Sequence, residues 1–191
     1  MPVTYETWLV LLSIVMATQG AYVGLSLAVQ IGEATGARRR LLLAGATVSL
    51  ADELIRPSVI YTPAVRAAIA AAEVHAAAHI TGGGFEGNIP RALPDGTRAV
   101  LERGSWEVPA LFGEIRRLGR VSDEEMARVF NLGLGMVLVV GAASAGDALE
   151  ALGTAGLAPV IVGRVEEGEP GVELVGPGFW PGTDGGPDQE R

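Results

Sequence analysis

The segment His79-Ile80-Thr81-Gly82-Gly83-Gly84-Phe85-Glu86-Gly87-Asn88-Ile89-Pro90-Arg91 carries the strongest local chemical signal in this chain of 191 residues. Three consecutive glycines let a backbone approach a ligand closely, and their N–H groups can form a nest for an anion. Asn88 and Arg91 lie within a turn of one another, where an amide and a guanidinium could complete a phosphate or ribose site. A plain glycine-rich turn would read the same way, because a lone glycine run is a weak signal.

His75 and His79 stand four apart, the spacing of a metal pair on a helix. Zinc needs a third protein ligand and no HExxH accompanies them, so no metal ligand is assigned. A polar group beside a glycine loop is the expected reading of His79. A second feature is Phe130-Asn131-Leu132-Gly133-Leu134-Gly135-Met136, in which Gly-x-Gly enters an apolar run. It allows close approach to a ligand or to a neighbouring element. It is not a dinucleotide fingerprint, which needs strand, glycines and helix in that order. Glu124 and Glu125 fall in the first turn of a predicted helix, where acids complement the dipole. No Ser/His/Asp order stands out.

These residues need elements to hold them. Thr62-Pro63 marks a helix start, predicting a helix over 63–72, and 74–80 (VHAAAHI) reads as a short strand ending in the glycines. Pro109 opens ALFGEIRRL, closed by Gly119. Ser122 and Glu125 have capping-box spacing for a helix from 123 to about 130. The run 134–140 (LGMVLVV) has the length of a buried strand, followed by a helix over 147–152 and a strand over 160–162. Helices mixed with strands make the middle segment α/β or α+β.

Composition excludes several chemistries. There is no cysteine, hence no disulfide framework, thiol nucleophile or thiolate metal site. All 14 basic residues are arginine, so neither a Schiff-base lysine nor a GxxxxGK[ST] phosphate loop is available. A net charge of −8 argues against a nucleic-acid surface. Residues 166–191 hold seven acids against Arg191 alone and are rich in Gly and Pro, predicting a disordered acidic tail. Phe179-Trp180 within it reads as a partly packed aromatic pair. Residues 8–31 carry no charged side chain over 24 positions and are followed by Arg38-Arg39-Arg40. That length exceeds the roughly 20 residues that cross a bilayer core, and the arginines would lie on the cytoplasmic side. A buried helix is the competing reading.

From about residue 50 to 165 the chain resembles the C-terminal domain of aminoimidazole ribonucleotide synthetase, also called phosphoribosylformylglycinamidine cyclo-ligase. The residues that carry the resemblance are LADELIRPSVIYTPAV, AHITGGGFEGNIPRALPDG, GSWEVPALFGEIRRLGRVSDEEMARVFNLGLGMVLVV and VIVGRV. The resemblance implies an α+β, sandwich-like domain over 50–165. It also implies ATP- and Mg²⁺-dependent ring closure of a formylglycinamidine ribonucleotide in purine synthesis. His79 (catalytic), with Thr81, Gly82, Gly83, Gly84, Asn88 and Arg91, would then line the site, supported by Asn131, Gly133 and Gly135 from the neighbouring strand.

The family's DGVGTK-like motif and HSNG stretch, and the acids that hold ATP and magnesium, have no counterpart in this sequence. The resemblance therefore implies the C-terminal half alone, inactive by itself, with a separate N-terminal half or a homo-oligomer as partner. Residues 5–49 resemble the first span of an MHYT-type bacterial membrane sensor domain, without its signature. Together these give three segments: 1–49 with a span at 8–31, a domain over 50–165 and the tail 166–191, with 50–191 expected to be cytoplasmic. A membrane-tethered sensor of a nucleotide-like metabolite, anchored in the inner membrane, is the alternative function.

Overall fold

The computed structural model describes the strands Trp8–Ile14, Arg40–Leu43 and Ala46–Ser49, residue 55, and residues 57–180. In chain order these strands are β1, β2 and β3. They are followed by α1 (Thr62–Ala71), β4 (Val74–His79), α2 (Gly84–Asn88), a 3-10 turn (Pro90–Ala92) and β5 (Thr97–Glu102). Then come α3 (Ala110–Gly119), α4 (Asp123–Val129), β6 (Leu134–Gly141), α5 (Ala145–Thr154), β7 (Pro159–Glu167) and β8 (Gly171–Val175). Six strands make one sheet in the order β4-β6-β1-β7-β5-β8, and β2 pairs with β3 separately. All neighbours in the large sheet are antiparallel except β5 with β8.

The continuous apolar run of β6 follows from burial on both faces. Val137 and Val139 point to one side, where α2, α3 and α4 contribute Phe85, Phe112, Ile115 and Met126, joined by Ile89 just past α2. Leu138 and Val140 point to the other, against Ala64 and Ala68 of α1 and Ala148 and Leu152 of α5. The alanines keep those two helices close to the strands. The fold is therefore mixed α and β, with helices on both faces of the sheet.

Two expectations are corrected. Residues 8–14 do not begin a membrane-crossing helix. They form β1 in the middle of the sheet, hydrogen-bonded to β6 from Trp8 opposite Gly141 to Ile14 opposite Leu134, and to β7 on its other side. A strand flanked on both sides is as free of charge as a span, so the absence of charge does not separate the two. The rest of the predicted span, 15–31, lies outside the described residues. No helix among the described residues is long and apolar enough to cross a membrane.

The second correction concerns the acidic stretch from residue 166. Residues 166–167 complete β7, and β8 adds a parallel edge to β5. Two of the acids there are paired: the Arg98 guanidinium donates to Glu166 Oε1 at 2.6 Å and meets Glu173 Oε2 at 3.2 Å. That hydrogen bond from Arg98 holds the Glu166 carboxyl below its ordinary range. Phe179 is buried against Trp106, with Trp180 edge-on to it, as the aromatic pair suggested. Residues 181–191 lie outside the described residues.

The layering sets a stability expectation. Leu138→Ala empties a fully enclosed site between β6 and the α1/α5 face and is expected to cost about 2–5 kcal/mol in urea denaturation. Ile161→Ala, at a 42% exposed position, is expected to stay within about 1 kcal/mol. Equal losses would contradict this assignment of faces.

Candidate functional site

Antiparallel pairing gathers the end of β4, the start of β6, the end of β1, the start of β7 and the ends of β5 and β8 at one edge of the sheet. The glycine loop leaves β4 there. Its first residue, Ile80, is fully buried and donates its N–H to the Gly135 carbonyl at 2.9 Å. This bond ties the HITGGG loop to the Gly-x-Gly turn ahead of β6, bringing together two features that lie about fifty residues apart in sequence.

Close packing fixes the loop. Gly84 has φ +56°, and a Cβ there would sit 2.0 Å from the Ala127 carbonyl oxygen of α4. Only glycine lets α2 start against the last turn of α4. Asn88 then closes the loop from within. Its Nδ2 donates to the Gly84 carbonyl at 2.7 Å and lies 3.4 Å from the Thr81 and Gly82 carbonyls, while the Thr81 hydroxyl donates to its Oδ1 at 3.4 Å. Asn88 is thus buried and occupied with the loop itself.

What remains exposed is the tip, Gly82 and Gly83. Their amide N–H groups have no partner among the described residues. Two such consecutive N–H groups at an exposed, side-chain-free turn have the chemistry to hydrogen-bond an anion. Gly82 has ordinary φ, and a Cβ on it would meet nothing within 4 Å, so packing gives it no reason to be glycine.

The second loop supports the first from behind. Asn131 is 1% exposed, its Oδ1 accepts from Gly133 N at 3.1 Å, and its Nδ2 has no partner. Leu132 takes φ +48°, a strained conformation for a leucine, ahead of Gly133 at +96°, and Trp106 Nε1 donates to the Leu132 carbonyl at 3.0 Å. A side chain at Gly135 would collide with Tyr61, whose hydroxyl lies 2.0 Å from the Cβ position. Tyr61 also meets His79 edge-on at 6.0 Å, and burial pushes its phenol pKa up. Tyr61 and Trp106 are site-building residues that motif reading misses. The available signal is the indole N–H, which must find an acceptor once buried.

The structure therefore brings together His79, Thr81, Gly82, Gly83, Gly84, Asn88, Asn131, Gly133 and Gly135. It does not bring Arg91 to the tip. Arg91 lines a cavity with His75, at the start of β4, about 20 Å of strand away from the loop. His75 and His79 do not act as a pair either: the register shift between Val74 and Ala76 separates them, with His75 at the cavity and His79 against Tyr61. Among the described residues no three His, Asp or Glu side chains are grouped to hold a metal ion.

The sequence profile of the family described as AIR synthase related protein, C-terminal domain, matches residues 9–175, and the chain belongs to that family. It is 50% identical over 123 residues to a phosphoribosylformylglycinamidine cyclo-ligase of Anaeromyxobacter dehalogenans strain 2CP-1, covering 64% of this chain and 36% of that protein. The corresponding protein of Myxococcus xanthus is 47% identical over 120 residues, covering 63% of this chain and 35% of the other. The chain thus spans about a third of the length of these curated relatives. Among solved structures it is similar to E. coli HypE, a hydrogenase maturation protein, with TM-score 0.60 and 21% identity over 91% of this chain and 48% of that one. A thiamine-monophosphate kinase from Stenotrophomonas maltophilia gives TM-score 0.52 and 17% identity over 88% and 50%. These two likenesses concern the fold alone. The family match begins at residue 9 and runs across the expected boundary at residue 50, so the MHYT-type segment over 5–49 is not supported.

The two glycines separate folding from ligand approach. Gly84→Ala is expected to destabilise the chain by about 2–4 kcal/mol, from overpacking plus positive φ, whereas Gly82→Ala is expected to stay within about 0.5 kcal/mol. Thermal melts of both variants check this, and a large loss at Gly82 would show the tip to be packed.

Proposed function

We propose that this chain supplies the glycine-loop portion of a phosphoribosylformylglycinamidine cyclo-ligase site, the enzyme that closes an imidazole ring on formylglycinamidine ribonucleotide. The observation that carries this reading is the exposed Gly82-Gly83 tip, whose two N–H groups have no partner among the described residues, in a chain 50% identical over 123 residues to a cyclo-ligase. The Gly82 and Gly83 amides receive the anionic part of the ribonucleotide. Asn88 and Thr81 keep the tip preorganised, so binding does not have to order it. Asn131, Gly133 and Gly135 shape the wall behind it. His79 is proposed as the proton-transferring group, its ring oriented by Tyr61.

The resemblance implies ATP and Mg²⁺, which would activate the formyl oxygen. The described residues do not fit a magnesium ion, because no three carboxylate or imidazole groups converge. No step through ATP or Mg²⁺ is therefore assigned to them. The proposed holders of both lie in the roughly two-thirds of the relatives that this chain does not match. The chain alone is proposed to bind substrate without turning it over.

Calorimetric titration of formylglycinamidine ribonucleotide into the full chain tests this, with Gly82→Val as control. Gly83→Val would be uninformative, because φ is +96° there. Saturable heat from the wild type, abolished in a Gly82→Val protein of unchanged melting temperature, is expected. Equal binding by the variant, or no binding by a folded wild type, would overturn the reading. ADP formation by the chain alone, with ATP and the ribonucleotide, would contradict the proposed division of labour.

A further inference from the structure

A cavity of about 320 Å³ lies on the face of the sheet that carries α2, towards the edge opposite the glycine tip. Val139 of β6 and Val165 of β7 are part of its floor, and both pair with the first residues of β1 rather than its last. Leu93 and Pro94 close it from the segment after the 3-10 turn. Its volume falls at the low end of small-molecule sites, and among the described residues its lining is mostly apolar, with Arg91, His75 and Thr97 as the polar side chains.

Those polar groups define a charge. Arg91 lines the cavity, and its guanidinium has no carboxylate or carbonyl partner among the described residues. His75 lines it too. The Glu73 carboxylate lies 3.8 Å from that imidazole and is 72% exposed, so solvent screens the pair. The Thr97 hydroxyl, also in the wall, is already committed as a donor to the Pro94 carbonyl at 2.6 Å. One unpaired planar guanidinium above an apolar floor matches a monoanion that offers two coplanar oxygens on an apolar body. A phosphate dianion would need more donors than these.

We propose that this cavity binds a small organic carboxylate, at a site separate from the glycine tip. Arg91 takes the carboxylate bidentately, His75 lies beside it, and the apolar tail rests on Val139, Val165 and Leu93. The proposal does not rest on the ring-closure reading, because the two sites use different residues at opposite edges of the sheet.

The test is a titration of the full ¹⁵N-labelled chain with butyrate, followed by amide and arginine side-chain resonances. Parallel titrations use butyramide and inorganic phosphate. Saturable shifts centred on residues 75–76 and 91–97 are expected with butyrate and not with butyramide. Arg91→Gln should weaken binding about tenfold or more, the loss typical of one charge-assisted hydrogen bond, and Arg91→Lys should retain part of it. Arg91 is exposed, so both variants should leave the rest of the spectrum in place. Overturning results would be no saturation, butyramide binding equally well, or shifts centred on 82–84. Wild-type affinity in Arg91→Gln would do the same, and tighter binding of phosphate would refute the carboxylate class.

Discussion

The constraint on which the glycine loop depends is the contact between Gly84 and the Ala127 carbonyl, where there is no room for a Cβ. It fixes how near α2 comes to α4, and Phe85, Ile89, Met126 and Phe130 fill the core on the strength of that distance. The glycine loop is the piece of chain between this contact and the Ile80–Gly135 hydrogen bond. With both ends fixed and Asn88 bonded across the middle, the tip has little left to do but present its N–H groups. Preorganisation at Gly82-Gly83 is thus a consequence of core packing.

The sheet imposes the second constraint. β1 joins β6 to β7, so the pair β4-β6 and the trio β7-β5-β8 belong to one sheet only through residues 8–14. Loops from distant parts of the sequence share an edge because the strands between them are in register. Trp106 illustrates the dependence: it follows β5, yet its indole fastens the turn that opens β6.

Much of the fold was legible. β4, β6 and the Pro109 and Ser122 helix starts follow from patterns whose causes are local, and the Ser122 hydroxyl does accept from Glu125 N at 3.2 Å. The reciprocal half of that capping box is absent, because the Glu125 carboxylate pairs with Arg128 instead. β1 was not legible, since an uncharged apolar run satisfies a membrane and a two-sided strand equally. β8 was hidden in the acidic stretch, where Glu166 and Glu173 share a partner, Arg98, that lies about seventy residues away. At the site, the glycine motif was readable and Arg91 was misplaced. It follows Asn88 by only three residues, yet it falls in the 3-10 turn opened by Pro90 and lines the cavity with His75. Tyr61 and Trp106 act through tertiary contacts that no spacing announces.

The central claim is that one sheet edge, built by Gly84, Asn88 and the Gly-x-Gly turn, forms a ligand surface at Gly82-Gly83. Hydrogen exchange of the full chain with and without formylglycinamidine ribonucleotide addresses it most directly, because it locates binding along the backbone. The account predicts added protection at residues 80–88 and, more weakly, 131–135, with residues 91–97 unchanged. Protection confined to other segments, or none at saturating ribonucleotide, would contradict it.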